Sequence, residues 1–386
     1  MEPLLIGEGS RHWLRLTDLA FELAQKSAGY RRSLPSSLLT SLADLERAMN
    51  CYYSNLIEGH DTHPVDIERA LKDDYSQDAK KRDLQLEATA HIAVQVWIDS
   101  GALRGRAVTA EGIRELHRRF CENLPEEMLW VEDSQSTDRV RVIPGELRPG
   151  DVIVGRHLAV SPGAVPRFLL RFEDVYGRLG KTVTILSAAA HHRLLWVHPF
   201  LDGNGRVARL MSHATMLETL DTGGVWSIAH GLARNVDDYK AHLSNCDFTR
   251  RNDLDGRGNL SEEALAAFTG FFLKTCIDQV DFMESLVQPD RLRTRILLWV
   301  EEEVRLGTLP RKSGSILEAI LYRGELPRGE AGTVTGAGDR QARRIVSALV
   351  ELGVLVSENP RAPLRLAFPA ALASRWMPGL FPEQNN

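Results

Sequence analysis

The sequence predicts a mainly α-helical protein with a small second domain at its C-terminal end, on three observations. Apolar residues recur at helical spacing through most of the 386 residues. The best strand signal is a single stretch, 151–160, β-branched and bounded by turn residues. The last hundred residues give three helical segments followed by two short apolar runs. A composition of 43% hydrophobic and 26% charged residues is that of a soluble globular chain, long enough for two or three domains. Nothing runs apolar for the span of a bilayer, and the N-terminus lacks a basic region leading into an apolar core, so neither a membrane nor secretion is expected. Four cysteines, Cys51, Cys121, Cys246 and Cys276, have neither metal-like nor disulfide-framework spacing, which points to a reducing, cytoplasmic setting. A formal net charge of −5 argues against indiscriminate nucleic-acid binding by the whole chain and leaves a local basic face open.

In chain order, 13–23 reads as a short helix and 36–56 as a long one that continues to Glu58, with Gly59 suited to a helix C-cap. Ser54 and Glu58, four apart, share a face. An acid at a helix C-terminus opposes the dipole, so Glu58 needs a partner. A helix follows at 61–68 with Asp61 or Thr62 as cap and Pro64 in its first turn. Core helices are expected at 83–100 and, capped by Thr109, at 109–120. His60, His63 and His91 read as packing or surface histidines. Polar, Gly- and Pro-rich 131–150 reads as loop. The strand signal at 151–160 reads as a hairpin that must lie against something, since a lone hairpin is marginally stable. Helices follow at 163–176, 184–197, 207–220 and 261–286, with 288–290 as linker. Beyond it, helices at 313–323, 328–333 and 338–352 precede strands at 353–356 and 364–368, which is the winged-helix pattern. Arg340, Arg343 and Arg344 would face a groove if this module binds DNA. Glu351 and Glu358 dilute the basic face, and protein docking is an equal reading.

The densest chemistry lies in 198–209, HPFLDGNGRVAR, between two helices. Pro199 ends the first helix at His198, because it disfavours the α conformation in the residue before it. Asp202, Gly203, Asn204 and Gly205 turn the chain into the next helix. The free N–H groups and positive dipole at that helix start make an anion cradle. Arg206 and Arg209, three apart, can both reach a phosphate chain. A carboxylate beside phosphates calls for a cation, so Asp202 reads as a Mg²⁺ ligand. His198 is the neutral-pH base, placed to take a proton from an attacking hydroxyl. An Asn-Gly hairpin turn would need flanking strands, and the flanks here are helical.

This stretch resembles the signature of the Fic family, HxFx[D/E]GNGRxxR, and departs from it nowhere. The resemblance implies a Fic helical bundle that transfers the AMP part of ATP to a Ser, Thr or Tyr hydroxyl of a protein. His198 would be base and Asp202 the magnesium ligand, with Gly203, Asn204 and Gly205 on the α/β-phosphates and Arg206 and Arg209 on the outer ones. Residues 54–59, SNLIEG, resemble the family's inhibitory motif, [S/T]xxxE[G/N], in which the glutamate pairs with the second signature arginine, here Arg209. The resemblance makes the hairpin a flap with its tip at Val154, Gly155, Arg156 and His157, aligning a target segment by strand pairing. It also places Asn235, Tyr239 and Lys240 at the adenosine, although Val236 and Lys240 depart from the family pattern. The domains are then 1–105, a helical region containing the inhibitory helix, 106–286, the catalytic domain, and 291–386, the winged helix. The partners expected are ATP, a target protein that includes the chain itself, a homodimeric second copy, and DNA or a protein at the winged helix. Two alternatives stay open: removal of AMP from the target, and a DNA-binding regulator that only senses nucleotide.

Overall fold

The computed structural model describes residues 1–132, 139–180, 185 and 188–381. It is mainly helical and divides into two compact units, one of residues 1–28, 50–223 and 227–280, the other of 29–49, 224–226 and 281–386. The helices up to the first unit's end are α1 (Trp13–Ser33), α2 (Ser36–Ile57), α3 (Pro64–Ala70), α4 (Ala79–Asp99), α5 (Ala110–Cys121), α6 (Val165–Tyr176), α7 (Ala189–Val197), α8 (Asn204–Leu220), α9 (Ala229–Arg234), α10 (Val236–Asn245) and α11 (Glu262–Val287). Helix α8 is the axis of the first unit: α7, α5 and α4 all pack on it, and α6 packs on α7. Its residues are buried on every side, from Asn204, Arg206 and Arg209 to Leu210, Met211 and His213. A helix enclosed in this way is an interior helix, and its polar side chains must find partners inside the protein. Phe120, Phe172, Leu194, Phe200, Val207 and Leu210 join in one apolar core, each contributing about 1.5–3 kcal/mol by burial.

Several expectations change. Helix α1 runs on to Ser33, ten residues beyond the expected end. His63, not Thr62 or Asp61, caps α3, its Nδ1 accepting from Val65 N–H at 3.3 Å. Within the expected loop 131–150, β1 (Trp130–Glu132) pairs antiparallel with β2 (Arg139–Arg141), Val131 opposite Val140. Only those two valines turn inward while charged residues flank them, so the strand content was masked by polarity. Residues 133–138, between the strands, lie outside the described residues, as does the expected helix start at Thr184. The expected hairpin is present: β3 (Ile153–Val154) pairs with β4 (His157–Leu158) around Gly155, whose φ of +60° suits the tight turn.

In the second unit, α12 (Pro289–Leu306) starts one residue after α11. The expected linker is therefore a helix junction, since proline is tolerated at a first helical position. There follow α13 (Ser313–Arg323), β5 (Glu325–Leu326), α14 (Ala331–Thr335), α15 (Asp339–Glu351), β6 (Leu355–Val356), β7 (Leu364–Leu366) and α16 (Ala373–Trp376). The sheet has three strands in the order β5-β7-β6, where two strands were expected. Trp299 and Trp376 meet edge to face at 5.2 Å in its core. Helix α15 buries Ala342, Ile345, Val346 and Leu349 and exposes Arg340, Arg343 and Arg344. The compact units also differ from the contiguous domains expected, because residues 29–49 group with the C-terminal segment.

Candidate active site

His198 ends α7 in the left-handed region, φ 48° and ψ 65°. A non-glycine residue there costs on the order of 1–3 kcal/mol and persists only where surroundings impose it. The imposing group is Arg148, which the sequence reading did not single out. Its Nε donates to His198 C=O at 2.7 Å, its Nη1 to Gly150 C=O at 2.7 Å and its Nη2 to Val160 C=O. One guanidinium thus joins the histidine's backbone to both ends of the β3–β4 hairpin. Burial first, then the Arg148 charge, lowers the His198 pKa to about 4, so its imidazole is neutral and able to accept a proton at neutral pH. At the hairpin tip His157 Nε2 lies 2.8 Å from Trp196 C=O, which holds the tip against the end of α7. Arg156 is exposed, and Ile153, Val154 and Leu158 are 61%, 47% and 64% exposed.

The turn into α8 is built by packing. Gly203 has a φ of +77° and lies over His117, which stacks on Phe200 at 3.8 Å. Asn204 was expected on phosphates. Instead its buried side chain accepts from Phe200 N–H at 3.0 Å and donates to Phe200 C=O at 2.9 Å, fastening the loop to itself. Glu58 lies beside the first turn of α8: a Cβ on Gly205 would collide with Glu58 Oε1. The Glu58 carboxylate thus lies at the start of α8, where the helix dipole favours an anion.

Both signature arginines are engaged. Arg209 donates from Nε to Ser54 Oγ at 2.9 Å, and from Nη2 to Ser54 C=O at 2.9 Å and Glu58 Oε1 at 2.5 Å. Burial works against the Glu58 carboxylate, but the Arg209 and Arg206 charges and the Arg209 hydrogen bond outweigh it and hold its pKa below the usual value. Arg206 donates from Nη2 to Asp202 Oδ2 at 2.9 Å and from Nη1 to Glu87 Oε1. Its guanidinium also lies 5.0 Å from the centre of the Phe120 ring. Glu87, on α4, is fully buried, and its Oε2 lies 2.7 Å from His60 Nδ1. The sequence reading missed Glu87. Its signal was an acid four residues before His91 in a helix read as core. His91 is itself buried beneath the arginines, its pKa lowered to about 3 by burial and then by Arg209 and Arg206.

The structure does not gather the expected adenosine residues into an open pocket. Tyr239 is 2% exposed, and its hydroxyl lies 2.5 Å from His191 Nε2. Asn235 donates to Gly231 C=O as a helix-end contact, and Lys240 is exposed. Tyr239 is a buried support beneath α8 with no free face for a base. Among the described residues no group of three or more His, Cys, Asp or Glu could hold a metal ion alone. Asp202, with its side chain 45% exposed, fits a magnesium ion that takes its remaining ligands from nucleotide phosphates and water.

This geometry, a half-buried neutral histidine followed after a short turn by a helix N-terminus flanked by two arginines, lies within residues 107–216, which match the family described as Fic/DOC. That stretch of the chain resembles a Fic/DOC domain. A protein adenylyltransferase Fic from Drosophila erecta is 26% identical over 217 residues, covering 53% of this chain and 40% of that protein. The chain therefore spans less than half the length of that curated relative. Two solved structures share the fold. A Fic family protein from Desulfovibrio desulfuricans superposes with a TM-score of 0.53 at 16% identity, covering 91% of this chain and 95% of that one. A Fic-domain signaling protein from Bacteroides thetaiotaomicron gives 0.51 at 21% identity, covering 69% and 95%. The matched residues contain His198, Asp202, Arg206 and Arg209, while Glu58, in the turn after α2, and Glu87, on α4, lie outside them.

Proposed function

We propose that the chain is a protein adenylyltransferase that uses ATP and Mg²⁺ and is held inactive by Glu58. The observation that carries the reading is the pairing of Glu58 with Arg209 over the N-terminus of α8, beside a neutral His198. In the active state a target hydroxyl attacks the α-phosphorus of ATP. The new oxygen–phosphorus bond forms as the bond to the β-phosphate bridge breaks, pyrophosphate leaves, and His198 takes the hydroxyl proton. The α8 N–H groups and the two arginines bind and orient the phosphates. When bound at Asp202, magnesium supplies charge neutralisation to the phosphate oxygens. The exposed β3–β4 edge offers main-chain pairing to the target segment, the chain itself included. Four free, buried cysteines suit the cytoplasmic setting proposed here. No described helix is long and apolar enough to cross a membrane. Incubation with α-labelled ATP and Mg²⁺ tests the activity: label that stays on the protein through denaturation supports transfer, and its absence from both wild type and Glu58→Gly removes it.

The second unit is proposed to be a winged helix that docks an anionic partner through Arg340, Arg343 and Arg344. Supporting this, residues 291–386 carry 14 Lys and Arg against 10 Asp and Glu, in a chain of net charge −5. A gel shift with a random duplex, wild type against Arg343→Ala/Arg344→Ala, separates DNA from a protein partner.

A further inference from the structure

Two acids hold the two signature arginines, and they differ in whether they can let go. Glu58 ends a helix, and its side chain is 32% exposed, so it can leave Arg209 without disturbing the core. Glu87 stands in the middle of α4 with its side chain 0% exposed, and it cannot leave Arg206 unless α4 unpacks from α8. Both Glu87 oxygens are engaged, Oε1 by Arg206 Nη1 and Oε2 by His60 Nδ1. Arg206 is 5% exposed in its side chain, and among the described residues its Nε has no hydrogen-bond partner, so its reach is set by the two Nη groups. Of these only Nη2, on the half-exposed Asp202, faces a group that a bound nucleotide and cation would claim.

We propose that Glu87 is the positioning residue for Arg206: it grips Nη1 in every state, so that Nη2 alone passes from Asp202 to a phosphate oxygen when nucleotide enters. This rests on reading the loop before α8 as an ATP site. Without Glu87 the guanidinium turns wholly to Asp202, which removes a phosphate ligand and ties up the carboxylate meant for the cation. The hold on Arg206 is permanent, and the hold on Arg209 is removable.

The test is isothermal titration of ATP, with and without MgCl₂, into Glu58→Gly and Glu58→Gly/Glu87→Gln proteins. Loss of one oriented charge-assisted contact predicts about tenfold weaker ATP binding in the double variant. The Mg²⁺ concentration giving half-maximal enhancement of binding should rise with it, a readout that general loosening of the fold would not move. Equal ATP affinity and equal Mg²⁺ dependence in the two proteins overturn the inference. If Glu58→Gly itself fails to bind ATP, the nucleotide reading falls and takes the inference with it. If Glu87→Gln does not fold, melting of Arg206→Ala is compared with Arg206→Ala/Glu87→Gln. A pair that exists for Arg206 predicts the higher melting temperature for the second, which does not leave a buried carboxylate with His60 as its one remaining partner, and an equal or lower one overturns it.

Discussion

Replacing Glu58 by glycine should release the Fic site, and the structure sets the size of the effect. The carboxylate receives one strong charge-assisted bond, 2.5 Å from Arg209 Nη2, while Ser54 holds the same guanidinium from two other directions. A hydrogen bond to a charged group is worth roughly 1.5–3 kcal/mol net. Because the Glu58 side chain is 32% exposed, the lower part of that range applies. About 2 kcal/mol corresponds to about a 30-fold shift toward the open cradle. The initial rate of AMP incorporation from α-labelled ATP at saturating ATP and Mg²⁺ should rise by about that factor. Glycine here also loosens the end of α2, so Glu58→Gln serves as control, keeping the shape and removing the charge. It should activate too, to a smaller extent. Equal rates for wild type, Glu58→Gly and Glu58→Gln would refute the pairing as a brake and leave Glu58 an ordinary helix-end acid.

The same geometry makes further predictions. Arg209→Ala in the Glu58→Gly background should return incorporation to about the wild-type rate, because it deletes the group that was released; a double variant as active as Glu58→Gly would contradict this. The transfer rate of Glu58→Gly should stay level between about pH 5.5 and 8, since the His198 pKa is lowered to about 4 by burial and Arg148, and an acid limb centred near 6.5 would contradict the assignment. His91, His117, His191 and His192 are buried, with pKa values lowered to about 3 or 4, chiefly by burial. Their contribution to stability is complete above the unfolded value of about 6.5 and is lost as pH falls from there through the folded values, by about 1.4 kcal/mol per unit for each. The melting temperature should therefore drop steeply below pH 6, and a flat profile down to pH 4 would contradict their burial. Deleting residues 291–386 should lower the melting temperature and broaden the transition, because residues 29–49 belong to the unit those residues complete. A truncated protein that melts like the full chain would restore the simpler boundary.

The candidate catalytic stretch stood out because its chemistry is consecutive: a histidine, a turn and two arginines fall within twelve positions. Glu58 was legible because an acid at a helix end opposes the dipole and so asks for a cation, which the structure supplies in Arg209. Glu87 and Arg148 were not, since each acts across more than 45 residues of sequence on a group that only the packing of α4 and α8, or the loop before β3, brings near. The burial of Tyr239 was not legible, because a family position fixes a residue type and not its exposure. The short β1, β2 and β5 escaped because two or three residues give too little alternation for a strand signal, and their charged flanks look like loop.

The account turns on His198 as the base of adenylyl transfer. Its most direct test is intact-mass measurement of Glu58→Gly and Glu58→Gly/His198→Ala proteins after incubation with ATP and Mg²⁺. Titration with ATP beforehand should show that both bind nucleotide alike, since the cradle and arginines hold the phosphates and the imidazole does not. The account predicts that Glu58→Gly gains the mass of one or more adenylyl groups and that the His198→Ala protein gains none. Adenylyl mass on the His198→Ala protein at a comparable rate would contradict it.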